Sequence, residues 1–395
     1  MGFPYESREV LQAYAGWLVN PLLGAALYTL PKAIGEGNLI SEQLKSRVVC
    51  PLVARHGVGP GEARLQPIED GRLRCPVCGN VYPGERAGYL DLMPPEDASH
   101  TSLYVSHEAE FEAALDYKRI AMPLLGAGVR QRAIRQMLKP TTGDRLVELG
   151  CGNGKFVFWN RRAVSWAVGI DPAPLFAQEA TEKVDLLRAD ARSLPFDAGA
   201  FTAAMSIDVL EHLPLPDIEA YLGEAHRVLA RDGRLFIFSN TREGSRLDFV
   251  VRSARVLSRW LGDRGLIDDS RDRLRKSDHV KALETYEELE VALARCGFRV
   301  ERVVFWNGLF QSLIENLVMK IAEAAILRRK RATASGGQQA RGEAARASMK
   351  NTLAKKGMTY RAMRVLTELM WLDLVLFGKW RAGPYFLLAR REDRS

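Results

Sequence analysis

Residues Leu146 to Gly154 read Leu-Val-Glu-Leu-Gly-Cys-Gly-Asn-Gly, an apolar run holding one acid, then three glycines at alternate positions. No other stretch restricts the chain so strongly. A short apolar run ahead of a glycine cluster predicts a strand that enters a tight loop, and the loop opens a helix. Glycine tolerates a positive φ and lets backbone N–H groups approach a ligand closely. The first turn of the helix beyond offers unpaired N–H groups. Alone, such a loop is a weak sign of a binding site. The segments that follow it make the pattern specific.

Ala167-Val168-Gly169-Ile170-Asp171 predicts a second strand ending in an acid. An acid there is placed to accept the hydroxyls of a ribose. Leu186 to Asp190 predicts a third strand, and Phe201 to Ser206 a fourth that leads into Ile207-Asp208-Val209-Leu210-Glu211-His212-Leu213. Gly233 to Ser239 predicts a fifth. Strands alternating with helical stretches imply an α/β fold, a doubly wound parallel sheet with ligands at the strands' carboxyl ends. A nicotinamide dinucleotide would need Gly-x-Gly-x-x-Gly and room for a pyrophosphate. Here the spacing is Gly-x-Gly-x-Gly, and Glu148 would repel a pyrophosphate while suiting a cationic ligand.

In this order the segments resemble the class I S-adenosylmethionine-dependent methyltransferases, above all the branch acting on small molecules. The resemblance covers about residues 140–306 and a last strand near 384–391. It implies a Rossmann-like seven-stranded sheet that binds S-adenosylmethionine. Glu148, Gly150, Cys151, Gly152 and Gly154 match the first motif, and Asp171 with Pro172 the ribose site. Asp190 and Ala191, followed by Leu194-Pro195-Phe196, match the adenine-contacting turn, and Ser206 ends the fourth strand. Asp208 and His212, just beyond, are the expected catalytic residues. Histidine titrates near neutrality and suits a general base. Glu211-His212-Leu213 is similar to the same stretch in quinone-pathway O-methyltransferases. It is also similar to small-RNA 2′-O-methyltransferases, where an acid-x-x-Glu-His set and a later histidine hold a divalent metal. Asp208, Glu211, His212 and His279 would be that set here. A pocket-lining role without chemistry for Glu211 and His212 stays open.

Residues 48–95 predict a small unit of their own. Cys50-Pro51 opens it, and Cys75-Pro76-Val77-Cys78-Gly79 has the spacing of a zinc knuckle. The unit resembles the zinc-ribbon and Trm112-like segments that precede some bacterial methyltransferase domains, and the amino end of ribosomal-RNA guanine methyltransferases. Those have two Cys-x-x-Cys pairs, whereas Val53 stands where the first pair would close. His56 is near enough to replace the missing thiolate, which gives Cys50, His56, Cys75 and Cys78 as expected zinc ligands. A ribbon without metal, held by a small apolar core, is the competing expectation. With only five cysteines, one of them inside the glycine loop, the count argues against a disulfide scaffold, and a reducing, cytoplasmic setting is expected. The start of the chain shows no pattern of a secretory signal.

The remaining boundaries follow composition. Residues 1–47 form an apolar amino-terminal segment interrupted at Asn20-Pro21, expected to be helical and packed on the core, with membrane contact as the alternative. Residues 100–306 hold the methyltransferase unit, opened by helical sequence up to Lys139-Pro140. Thr285 and Glu288 predict a capping box. Residues 307–382 form a helical insertion before the last strand, residues 383–395. Within it, Arg328 to Lys356 carries nine basic residues and one acid, which equals the net charge of +8 of the whole chain. That concentration argues against a basic RNA-binding surface and for one segment between two apolar helices. Peripheral contact with an anionic membrane at its inner face fits it, as does a helical hairpin packed on the enzyme. The expected function is methylation of an apolar or lipid-linked small molecule, with oxygen as acceptor. An RNA methyltransferase and a non-catalytic binding protein on the same fold are the alternatives, and nothing in the pattern fixes an oligomeric state.

Overall fold

The computed structural model describes residues 40–59, 61–93, 119–264, 266, 280–321 and 357–393. Residues 1–39 of the apolar amino-terminal segment, His279 and the basic stretch Arg328–Lys356 lie outside the described residues. So does most of the sequence expected to be helical ahead of residue 119.

Chain order begins with α1 (Glu42–Lys45), β1 (Gln66–Pro67), β2 (Leu73–Arg74), β3 (Val81–Tyr82), β4 (Gly84–Arg86), β5 (Tyr89–Asp91) and α2 (Leu125–Met137). Next come β6 (Arg145–Leu149), α3 (Lys155–Asn160), β7 (Trp166–Asp171), α4 (Gln178–Thr181), β8 (Asp185–Arg188), β9 (Phe201–Ile207), α5 (Leu215–Val228) and β10 (Leu229–Asn240). The chain closes with α6 (Asp248–Asp263), α7 (Tyr286–Arg295), β11 (Phe298–Phe305), α8 (Leu309–Leu313), α9 (Met358–Phe377) and β12 (Pro384–Arg391).

The main sheet runs β11-β12-β10-β9-β6-β7-β8-β5-β4. Strands β8, β7, β6, β9 and β10 are parallel, and β12 is antiparallel to both β10 and β11. These are the seven expected strands. The sheet has nine because β5 adds in parallel to β8 and turns back through β4. The amino-terminal ribbon is therefore stitched to the edge of the sheet, while β1, β2 and β3 form a small sheet of their own. β6 pairs with β7 on one side and β9 on the other. That makes its carboxyl end the point where strand order reverses, the place where such sheets bind ligands.

Alternate residues of each strand enter two cores, as the two-residue period requires. Val147, Leu149, Val168, Ile170 and Ile237 face one cluster, which also receives Cys50, Val53, Leu65 and Tyr82 of the ribbon. Leu146, Ala203, Met205, Phe236 and Phe386 face the other, which receives Ile314, Met370, Trp371 and Leu374 of the insertion. Each of those large side chains gains about 1.5–3 kcal/mol from burial. Helix α5 shows why these segments dock. Pro214 precedes it, and Ile218, Tyr221, Leu222, Ala225 and Val228 bury one face at helical spacing.

The insertion is locked to α2 by polar contacts as well. Leu125 N–H donates to Thr367 Oγ1 at 2.8 Å, and Arg132 to Glu368 at 2.6 Å. Buried Asp373 of α9 takes the N–H groups of Phe310 and Gln311 that open α8, and the indole N–H of Trp306. The cap of α7 departs slightly from a capping box. Thr285 accepts from Glu288 N–H, but the Glu288 carboxylate reaches the N–H of Glu284, one residue earlier than the motif requires.

Candidate active site

The glycine loop lies at the carboxyl end of β6. Gly150, Gly152 and Gly154 all have positive φ. At Gly150 a Cβ would sit 2.4 Å from Val209 Cγ2, so the loop after β9 closes directly over the glycine loop only because that side chain is missing. Gly152 has φ +53° and nothing within 4 Å of a Cβ position, so its backbone borders open space.

Asp171 ends β7 and fastens this loop. Its Oδ2 accepts the Gly152 N–H at 2.7 Å and its Oδ1 the Ala173 N–H at 2.9 Å. Each carboxylate oxygen keeps a lone pair for a ligand hydroxyl. Burial pushes the carboxyl up to about 6, against those two N–H bonds and the nearby His212, which lower it. Pro172 follows, its carbonyl held by Arg188 at 3.2 Å.

Glu148 is only 1 % exposed, and its Oε2 accepts the Val157 N–H of α3 at 2.7 Å. Burial raises its pKa well above the usual carboxylate value. The expected acid of the first motif therefore binds the helix beyond the loop. Cys151 turns its side chain inward, 2.9 Å from a Cβ position at Gly169. Burial raises its thiol pKa strongly, so its backbone alone is available to a ligand. Ser206 is likewise fully buried within β9. Asp190 lies two residues past β8 and is clasped by Arg192 through bonds of 2.6–3.1 Å, with Arg192 also bound to Asp217 at 2.7 Å. Ala191 beside it packs on the core as a half-buried residue.

Asp208, Glu211 and His212 stand together past β9, with Leu210–His212 as one 3-10 turn. Asp208 has φ +57°, a left-handed conformation that costs a non-glycine residue energy, though aspartate tolerates it better than most. Its carboxylate pairs with Arg130 of α2 at 3.3 Å. The Arg130 guanidinium lies 4.3 Å from the Phe238 ring centroid and 5.6 Å from that of Trp306. Glu211 is buried, takes Ser239 Oγ–H at 2.5 Å and faces Asn240 Nδ2 at 3.3 Å. Burial first, then repulsion from Asp208, raises its pKa to about 7, while His212 and Ser239 oppose the rise. His212 is half-buried and within electrostatic reach of both Asp171 and Glu211. The turn thus puts an imidazole within electrostatic reach of the expected ribose acid, with two carboxylates held by partners.

Arg130, Ser239, Asn240 and Arg192 belong to this site and carried no signal in the sequence. Arg130 is 78 residues from its partner Asp208, on a helix whose pattern marks only its buried face.

The four expected metal ligands also meet. Among the described residues, Cys50, His56, Cys75 and Cys78 form the one group of metal-binding side chains, all ligand atoms lying within 4.8 Å of one another.

Residues 147–237 match the methyltransferase domain family. The ubiquinone biosynthesis O-methyltransferase of Azorhizobium caulinodans is 27% identical over 131 residues, 31% of this chain and 51% of that protein. The demethylmenaquinone methyltransferase of Thermus thermophilus is 33% identical over 184 residues, 43% of this chain and 81% of that protein. Among solved structures, phosphoethanolamine N-methyltransferase 2 of Haemonchus contortus, in complex with S-adenosyl-L-methionine, aligns with TM-score 0.44 and 14% identity over 75% of this chain and 60% of that one. The matched part of the chain spans about half the length of the Azorhizobium relative.

Proposed function

We propose, for a chain that belongs to the class I S-adenosylmethionine-dependent methyltransferases, that it methylates a ring hydroxyl of an apolar, quinone-type small molecule. The names of the Azorhizobium and Thermus relatives support that acceptor class. The observation that carries the reading is the closure of the Val209–Leu213 turn on Gly150, which brings His212 into the field of Asp171.

The residues present fit the cofactor. Asp171 would take the ribose hydroxyls, Asp190 and Ala191 would border the adenine, and Gly152 gives the backbone room to approach. The bound cofactor supplies an electrophilic methyl group on a sulfonium centre. The protein must then align the acceptor oxygen and accept its proton. His212 is the base. Asp208, paired with Arg130, positions the turn, and Glu211 fixes it from below through Ser239. Phe238 and Trp306 are buried, and Arg130 lies against both rings, which holds its guanidinium at Asp208.

An apolar acceptor resides in membranes, and the surface supports contact with an anionic one. On α6, Phe249, Val256 and Trp260 share an exposed face, with Phe249 71 % and Trp260 48 % exposed. Arg264 stacks on Trp260 at 3.7 Å, and Arg252 is exposed on the same helix. Val365 and Leu376 of α9 are exposed as well. Apolar and aromatic side chains flanked by arginines suit a membrane interface. No helix among the described residues is long and apolar enough to cross a membrane.

The test is methyl transfer from labelled cofactor into a cell extract, sorted into lipid, small polar and RNA fractions, with His212→Ala in parallel. Label in the lipid fraction that falls by about 10²–10⁴ in the variant supports the proposal. Label in RNA alone, or an unaffected variant, overturns it.

A further inference from the structure

We propose that Cys50, His56, Cys75 and Cys78 hold one zinc ion, and that this centre fixes the turn expected to border the cofactor's adenine. The second half rests on the methyltransferase reading; the first does not.

The distances fit the ion. Tetrahedral zinc with Zn–S of about 2.3 Å and Zn–N of about 2.0–2.1 Å sets ligand atoms roughly 3.5–3.8 Å apart. Cys50 Sγ lies 3.8 Å from Cys78 Sγ, and Cys75 Sγ lies 3.6 Å from His56 Nε2. Three thiols and an imidazole at these separations suit zinc better than hard cations, which prefer oxygen. The ligands also have a supporting shell. The Cys75–Cys78 turn closes through Gly79 N–H to the Cys75 carbonyl at 3.0 Å, with Gly79 at φ +75°. The N–H groups of Cys78 and Val77 face the Cys75 sulfur, and the buried Tyr82 hydroxyl lies 3.0 Å from the Cys50 sulfur. Donors of this kind orient thiolate ligands. His56 reaches the cluster because a 3-10 turn, Val53–Arg55, carries the chain round from Cys50. A single turn thus replaces the missing Cys-x-x-Cys pair.

The consequence lies in what flanks Cys50. On one side, Val49 N–H donates to the Pro195 carbonyl at 3.1 Å, and Val48 bridges Phe196. On the other, Ser193 Oγ–H donates to the Pro51 carbonyl at 2.5 Å. Both neighbours of a metal ligand are thus hydrogen-bonded to the turn from Asp190 to Phe196. The far end of the ribbon grips the same region, since Leu92 N–H donates to the Arg188 carbonyl at 2.9 Å and β5 pairs with β8. An ion that fixes Cys50 therefore holds the turn that carries Asp190 and Ala191, through its contacts at Ser193, Pro195 and Phe196. Removing it frees the turn without touching Asp171 or the glycine loop.

The experiment uses the full chain purified without chelator. Elemental analysis should give about one zinc per chain, and Cys75→Ser with Cys78→Ser should lose it. Calorimetry with S-adenosylhomocysteine should show affinity about five- to fiftyfold weaker after chelation, restored by added zinc. Ser193→Ala keeps all four ligands, so it should retain zinc and still bind the cofactor product several-fold more weakly. Wild-type protein that takes up no zinc from a zinc-supplied buffer overturns the metal site. Full zinc with unchanged affinity on chelation and in Ser193→Ala overturns the coupling. Zinc-loaded protein that binds no S-adenosylhomocysteine overturns the coupling together with the methyltransferase reading, while the metal count stands by itself.

Discussion

Asp171 ties the cofactor site to pH in a way that can be worked out from its contacts. Burial raises its carboxyl to about 6, above the usual value of 3.8. The folded protein therefore holds a proton that the unfolded chain releases between those values, and stability falls as pH rises through that window, by at most about 3 kcal/mol. Cofactor binding has the opposite sign. Only the carboxylate accepts both ribose hydroxyls, so affinity should be flat above about pH 7 and fall roughly tenfold per unit below 6. Asp171→Asn removes the titration. Its single acceptor oxygen can satisfy Gly152 N–H or Ala173 N–H but not both with the ribose, and losing charged hydrogen bonds costs about 1.5–3 kcal/mol each. The variant should bind about 10–100-fold more weakly at pH 7.5, with little dependence on pH. The series is repeated on His212→Gln, which removes the imidazole that acts on Asp171 electrostatically. Calorimetry from pH 5 to 8 decides the matter. Wild-type affinity that stays level down to pH 5, or Asp171→Asn binding as tightly as wild type, refutes the reasoning.

Gly150→Ala combines a positive φ of 75° with a Cβ 2.4 Å from Val209 Cγ2, so denaturant titration should show a loss of about 2–4 kcal/mol. Glu211, buried with a carboxyl near 7, costs stability as it ionises, so Glu211→Gln should gain on wild type as pH rises from 5 to 8, by at most about 3 kcal/mol; a constant difference across that range counts against it. Thr367→Val removes the acceptor of Leu125 N–H and loosens α2, which carries Arg130 to Asp208, so KM for the acceptor should rise several-fold while cofactor affinity holds. Liposome co-sedimentation should need anionic lipid, fall steeply with salt, and be lost on deleting Arg328–Lys356 or in Phe249→Ser with Trp260→Ser. Binding that ignores lipid charge rules that contact out.

The parallel strands β6 to β9 were legible because they are buried on both faces and read as short apolar runs, each closed within two residues by glycine or an acid. Asp171 could be placed for the same reason: it ends such a run. Glu148 shows the limit. An acid beside a glycine loop suggests a ligand contact, yet its carboxylate turns to Val157 N–H, a choice set by the local path of α3. Cys151 looks like a loop residue in sequence but packs into the core beside Gly169. The ribbon's attachment to β8 was invisible because β4 and β5 are three residues each, too short for periodicity to register. Arg130 and Ser239 were invisible because pairing across the fold leaves no mark at either position. The cysteine–histidine quartet was legible only because ligand spacing is itself the chemistry.

The insertion before the last strand looks like a large disturbance in sequence and a small one in the fold. β11 and β12 meet in register at Phe305 and Tyr385, and Trp306 N–H donates to the Pro384 carbonyl at 2.8 Å. Both ends of residues 307–382 therefore leave the sheet from one point, as in a tight hairpin. Loop closure grows only with the logarithm of length, so chain added there costs little. The exit point matters more than the length. Pro384 pairs with Asn240, and Tyr385 with Ser239, at the carboxyl end of β10. Ser239 and Asn240 are the residues that hold Glu211. The insertion thus emerges at the ligand end of the sheet, roots itself through Trp306 beside Phe238, and returns along α2 above Asp208. A segment free to vary in length, anchored at that place, can change the acceptor without altering Asp171 or the glycine loop. In this chain its described part, α8 and α9, adds the exposed apolar side chains Val365 and Leu376 of α9 there.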